Sequence, residues 1–247
     1  MNKQSTEYHA ARALAWLLYV IAAIWLAISA SWWAFSRADY GYPFWYEQMA
    51  ISQHIDTYAP QHPVKRGFAQ LPPEQHYRAF AQIVEAVHRR GTQLEDIHFL
   101  APGYPVQRLL TTAEVRHLED VRRLLAMAAW ATVLVVPAWL LAALVLARRG
   151  LPGRAARITA VALLAGAAIA PLLVWGPKAV FYQLHVALFP ADNQWFFYWQ
   201  ESLMSTLMKA PVLFAGIAVE ITLLALLLLP LLYCGGLLLA RRLLEKK

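Results

Sequence analysis

Thr111–Leu125 reads TTAEVRHLEDVRRLL, and the way this stretch passes from polar to apolar decides the fold. Thr111 and Glu114 match the S/T-x-x-E capping box, so a helix is predicted to start here. Residues three apart on a helix share a face, which puts Glu114, His117 and Asp120 in one polar stripe about two turns long. Arg122 and Arg123 follow, and Leu124 opens an apolar run to Ala147. The pattern is that of a helix that begins outside a membrane and continues into it, with a titratable imidazole at the boundary.

The totals agree with a membrane reading. Of the 247 residues 60% are hydrophobic and 15% charged, with a mean hydropathy of +0.42, which is too apolar for an ordinary soluble domain. Ten tryptophans and eleven tyrosines suit aromatic belts at the two membrane surfaces. The net charge of +7 invites a nucleic-acid partner, but much of the basic surplus flanks apolar runs, so topology accounts for it and no nucleic-acid partner is expected. The single cysteine, Cys234, lies in an apolar run. It excludes an internal disulfide and a cysteine-rich metal site.

Working outward, residues 1–12 are polar and Ala13–Phe35 is an uncharged run long enough to span. It exceeds the hydrophobic region of a signal peptide and is read as an uncleaved anchor. Residues 36–123 hold six of the eight histidines and several prolines. They form a small polar domain, being too long for a hinge. Within it, a helix is predicted from Pro72-Pro73 to Gly91, with Tyr77, Phe80, Val84 and Val87 at helical spacing. Gln93–Leu100 is predicted as a short strand, with a turn at Pro102-Gly103. Tyr40–Tyr46 is assigned to the interface or to this domain's core. Residues 124–147 form the second span, 148–157 a basic turn, and 158–175 the third span. A polar and aromatic loop covers 176–209, a fourth span 211–240, and a basic tail 241–247. Short basic segments face the cytoplasm. The prediction is therefore a mainly α integral membrane protein with four transmembrane helices, both ends inside, capped by a small extracytoplasmic domain between helices 1 and 2. The 176–209 loop lies on the same outer side.

That loop holds a second histidine. In VFYQLHVALFPADNQWFFYW (180–199), Phe181, His185, Leu188 and Phe189 fall on one helical face. A short amphipathic interfacial helix is predicted, ended by Pro190 and followed by a turn at Asp192-Asn193. Trp195–Trp199 suits the headgroup level. On residue type alone, His117 and His185 are either packing residues or proton carriers. Glu114 is a cap before it is a catalyst, and Asp120 either orients His117 or pairs with Arg116 or Arg123. Histidines 54, 62, 76, 88 and 98 have no spacing that carries chemistry and are read as solvated or structural. Glu220, alone in the fourth span, is costly there and so a functional candidate.

Taken together, E-x-x-H-x-x-D-V (Glu114, His117, Asp120, Val121) before a span, then His185, Phe189, a turn, Trp195, and Pro211 with Phe214 entering the last span, resemble the lipoprotein intramolecular transacylase family, Lit. The resemblance covers the chain in length, span number and motif order. Residues 36–106 match only in position and size, and Leu184 stands where the family pattern carries phenylalanine. The resemblance implies an inner-membrane enzyme with its site on the extracytoplasmic side and a diacylated lipoprotein as substrate. The sn-2 acyl chain of its diacylglyceryl cysteine moves to its own α-amine, giving the lyso-form. The family's two histidines map onto His117 and His185. Glu114 and Asp120 then support His117, while Phe181, Phe189 and Trp195 shape the substrate pocket. No cofactor, metal or obligate protein partner is implied, and membrane lipids are the surroundings. Two rival readings are a zinc-dependent membrane hydrolase using His117, Asp120 and His185, and a non-enzymatic assembly factor or receptor.

Overall fold

A computed structural model describes residues 3–88, 91–189 and 192–246. Four long helices carry the apolar runs: α1 (Lys3–Ser36), α5 (Thr112–Arg149), α6 (Arg154–Leu188) and α8 (Val212–Glu245). Each is long and apolar enough to cross a membrane. Shorter elements lie between them: α2 (Tyr42–Gln48), α3 (Ile51–Tyr58), α4 (Pro73–His88), the strands β1 (His98–Phe99) and β2 (Gln107–Arg108), and α7 (Leu203–Leu207).

Several local outcomes differ from the sequence reading. The strand predicted over 93–100 shrinks to His98–Phe99, preceded by a 3-10 turn at Leu94–Asp96 and paired antiparallel with Gln107–Arg108. Two residues are too few for alternation to reveal, which is why β2 leaves no signal in the sequence. The long helices outrun the apolar stretches, because a helix once formed continues into polar sequence until capped. The fourth apolar run contains Pro230, yet α8 continues through it. Helix α4 ends at His88, and the predicted stop at Gly91 follows two residues outside the described ones. Pro190 and Lys247 also lie outside the described residues.

Helix α6 is interrupted at Gly176, with φ 79° and ψ 157°. Glycine alone adopts that φ without strain. Pro177 then disfavours helical geometry at the residue before it and lacks the N–H that would continue the ladder.

The chain divides into two compact units. One takes in Met1–Trp33, Ala128–Gly176 and Glu220–Lys247, the other Ala34–Met127 and Pro177–Val219. In the first, Trp16, Tyr19, Ala143, Leu146 and Ala240 form a buried cluster. The Tyr19 hydroxyl donates to the Tyr233 carbonyl at 2.6 Å, and its ring stacks on Trp139 at 5.9 Å. Gly236 permits this approach, since a Cβ there would meet the Tyr19 hydroxyl and come within 2.5 Å of Trp139 Cζ2.

The second unit has its own aromatic core. Tyr42 stacks on Phe80 at 4.0 Å and donates to the Leu207 carbonyl at 2.7 Å. Tyr40, Tyr42 and Tyr46 are buried, while Phe44 is exposed, so the 40–46 stretch belongs mainly to this core. The buried His76 donates from Nε2 to the Phe68 carbonyl at 3.0 Å and accepts the Tyr46 hydroxyl at Nδ1, 2.8 Å away. Burial pushes the His76 pKa down, which favours the neutral ring. His54 and His62 are buried too, so three of the five histidines read as solvated or structural are structural. Burial, aided by Lys209, pushes His54 down to about 4. Burial, aided by Lys65 and Arg66, does the same to His62.

A histidine whose folded pKa lies below its unfolded value binds protons more readily in the unfolded chain, so the fold loses stability as pH falls. The contribution is present above the unfolded value of about 6.5 and is lost as pH falls toward about 4. Thermal melting of the purified protein is expected to drop progressively over that window. His54→Phe, which keeps an aromatic ring against Trp199 (4.5 Å away), should flatten the dependence.

Candidate active site

The capping box forms as the sequence indicates. The Glu114 amide donates to Thr111 Oγ1 at 3.3 Å, and the Thr111 amide donates to Glu114 Oε2 at 2.5 Å. Glu114 has no exposed surface, and a buried carboxylate needs every partner it can find. Ser202 Oγ donates to its Oε1, and Lys65 Nζ lies 4.0 Å from Oε2 while donating to the Leu109 carbonyl at 2.5 Å. Burial pushes Lys65 below the ordinary lysine value, and the Glu114 charge opposes that shift.

One turn further along α5, His117 is 9% exposed. Its ring lies 6.2 Å from that of His185, with the planes 30° apart. Phe189 is 4.7 Å and Phe197 5.9 Å from His117. His185 sits on the part of α6 after the Gly176 break. Phe181 at 4.0 Å, Phe189 at 5.2 Å and Trp195 at 5.1 Å surround it. Its Nδ1 lies 2.8 Å from the Phe181 carbonyl. A carbonyl only accepts, so Nδ1 carries the proton and Nε2 of the neutral ring keeps a lone pair.

The structure thus brings His117, His185, Phe181, Phe189 and Trp195 together. Leu188, assigned by periodicity to the same face, is 54% exposed at the last helical residue. The two carboxylates expected to orient His117 bond elsewhere. Glu114 holds the cap and Ser202. Asp120, 7% exposed, accepts from Arg123 at 3.2 Å and from Asn193 Nδ2 at 2.5 Å. The i,i+3 spacing puts them on the His117 face, but their hydrogen bonds go elsewhere, and Asp120 acts on the imidazole only as a nearby charge that opposes the downward shift imposed by burial. Sequence reasoning missed Lys65 and Ser202, placed Phe197 only within the Trp195–Trp199 aromatic cluster, and read Asn193 only as a turn. Ser202 had one legible signal: three residues before Ser205 it caps α7, accepting the Ser205 amide at 2.9 Å. The trio a zinc site would need does not converge. Among the described residues no three His, Cys, Asp or Glu side chains are placed to hold a metal.

These helices define an integral membrane protein with an aromatic-walled pair of imidazoles. The family model of the lipoprotein intramolecular transacylase Lit matches residues 70–209, more than half of the chain, and the chain belongs to that family. It is accordingly a membrane lipoprotein transacylase, an acyltransferase. Solved structures of the membrane integral lipoprotein intramolecular transacylase Lit from Bacillus cereus share its fold. One is 15% identical with a TM-score of 0.59, covering 94% of this chain and 95% of that one. A histidine-to-alanine variant is 16% identical with a TM-score of 0.62, covering 99% and 98%. A histidine-to-arginine variant is 15% identical with a TM-score of 0.58, covering all of both chains. No curated protein matches the sequence.

Removing Glu114 would strand the Thr111 amide, the Ser202 hydroxyl and the Lys65 ammonium together. Glu114→Ala is expected to cost about 3–5 kcal/mol, the usual penalty for breaking a buried charge pair. Glu114→Gln, which keeps an acceptor, should cost less, and exposed Arg116→Ala almost nothing. Melting temperatures of the three variants in one detergent check the order.

Proposed function

We propose that this protein moves the sn-2 acyl chain of a diacylglyceryl-cysteine lipoprotein to the lipoprotein's own N-terminal α-amine, giving the lyso-form, by histidine general acid–base catalysis. The observation that carries the proposal is the pair of imidazoles 6.2 Å apart on two helices, with Nδ1–H of His185 bonded to the Phe181 carbonyl. A neutral imidazole whose other nitrogen is already committed is the form a general base requires.

The substrate amine is protonated near neutrality and must lose that proton to bulk water before it attacks the ester carbonyl. His185 Nε2 accepts a proton as the N–C bond forms. The C–O bond to the glycerol oxygen then breaks, and that oxygen takes a proton back from His117 or His185. The protons balance, and no acyl-enzyme is required. Amine and ester belong to one molecule, so holding them at attack distance supplies much of the acceleration. Phe181, Phe189 and Trp195 give the acyl chain an apolar wall. This assignment makes His185 the base, because its tautomer is set by the helix, and His117 the partner.

Topology fits the same reading. The short basic segments 148–157 and 241–247 belong on the cytoplasmic side. Residues 36–123 and 176–209, with both histidines, then belong on the extracytoplasmic side of the bacterial inner membrane, where lipoprotein N-termini reside.

Expression in a bacterium that makes diacylated lipoproteins, followed by mass spectrometry of lipoprotein N-termini, tests the reaction. N-acyl S-monoacylglyceryl cysteine is expected with the wild type. Conversion should fall by about a hundredfold or more with His117→Ala or His185→Ala, the scale of lost general acid–base catalysis. Unaltered lipoproteins beside membrane-inserted wild-type protein would refute the proposal.

A further inference from the structure

An imidazole that takes a proton from an amine takes one equally well from water, so the two histidines alone do not choose between transfer and hydrolysis. That choice falls to whatever surrounds them. Asp192–Tyr198 has neither helical nor strand pairing, yet its exposure alternates. Asn193, Trp195 and Phe197 are half-buried, while Asp192, Gln194, Phe196 and Tyr198 are exposed. In an extended chain alternate residues share a side, so Asn193, Trp195 and Phe197 form one inward face. Trp195 lies 5.1 Å from His185, and Phe197 lies 5.9 Å from His117.

Both ends of this segment are tied to the α5 stripe that carries His117. Asn193 Nδ2 donates to Asp120 Oδ2 at 2.5 Å, three residues after His117. Ser202 Oγ donates to Glu114 Oε1, three residues before it. Two further bonds brace the middle and end: Ser205 Oγ to the Phe197 carbonyl at 3.2 Å, and Thr206 Oγ1 to the Trp199 carbonyl at 2.6 Å. Without ladder bonds of its own, the segment takes its register from these ties, and the first of them sits on the same face as Trp195 and Phe197.

We infer that Asn193 and Ser202, with their carboxylate partners Asp120 and Glu114, are positioning residues. They hold Asp192–Ser202 as an aromatic strap against the two imidazoles and keep water from the ester, so that the acyl group passes to the amine. The inference rests on the function proposed above and adds the device that selects the nucleophile. When a tie is cut, water enters and gives up a proton to His185 Nε2 as its oxygen bonds to the acyl carbon. The C–O bond to glycerol breaks, the glycerol oxygen is protonated, and the chain leaves as a free fatty acid. Hydrolysis becomes a second, latent activity of the same site.

The test uses the full-length protein in proteoliposomes with a purified diacylated lipoprotein. Lyso-form product and free fatty acid are measured together by mass spectrometry. Wild type should give mainly lyso-form. Asn193→Ala and Ser202→Ala should go on cleaving ester while the ratio of fatty acid to lyso-form rises about tenfold, as expected when a site is opened to solvent. Ser202→Thr, which keeps the hydroxyl, should restore the wild-type ratio. Because the readout is a ratio, it does not depend on how much of a variant folds. Active wild type with either variant's ratio unchanged, both products falling together, would overturn the strap and leave the transfer reaction standing. Wild type that makes no lyso-form would instead overturn the underlying function, and the strap with it.

Discussion

The carboxylate of Glu114 has no exposed surface, and three separate parts of the chain are gathered around it. Solvating a charge with no water present takes donors, and they come from Thr111 at the start of α5, from Ser202 before α7, and, as a charge at 4.0 Å, from Lys65. Lys65 is itself fixed by the Leu109 carbonyl, one step beyond the β1–β2 pairing, where the Leu109 amide bonds the Ile97 carbonyl at 2.8 Å. The point at which α5 begins is therefore set by one charge. The azimuth of His117, three residues on, follows from helix geometry alone.

His185 reaches its place by a different device. The imidazole is tethered to the carbonyl four residues back on its own helix, so its orientation is local to α6. The helical ladder is interrupted at Gly176-Pro177, before the segment that carries His185, where neither residue favours continuation. One imidazole is thus placed by a buried charge network and the other oriented by a bond within its own helix. Aromatic rings fill the space between, where they offer the nitrogens no competing hydrogen bonds.

What the sequence discloses follows from the range of each interaction. The long helices and the capping box rest on neighbours in sequence and were legible, and the Gly176-Pro177 interruption falls where the third span was read to end. That His117 and His185 would lie 6.2 Å apart was not, without the family pattern, since nothing local links α5 to α6. The cap of Glu114 and the pairing of Asp120 with Arg123 were legible, but their longer-range partners were not, for the same reason. Periodicity puts both on the His117 face but is blind to a loop some eighty residues away, where Asn193 and Ser202 wait as donors. His54, His62 and His76 carry no spacing, and only their burial against aromatic neighbours reveals them as structural.

The E-x-x-H-x-x-D spacing takes on a different meaning once lengths are compared. Glu114 and Asp120 are six residues apart on a helix, about 9 Å along its axis. Asn193 and Ser202 are nine residues apart, and that much extended chain reaches about 30 Å. Even with the length of the tying side chains added, the anchors are far closer than the chain between them could stretch, so the ties gather the segment instead of tightening it. The slack has to go somewhere. Part is taken up in the 3-10 turn at Trp199–Glu201, and the rest lies opposite the residue midway between the anchors, which is His117. Carboxylates placed three residues either side of a helical histidine are therefore suited to bringing an aromatic loop against it without touching the ring. A carboxylate meant to orient the imidazole would be better placed on another element and aimed at a ring nitrogen. The motif read in sequence as a histidine with a capping and an orienting carboxylate has, by its dimensions, the form of a pair of loop anchors with a histidine between them.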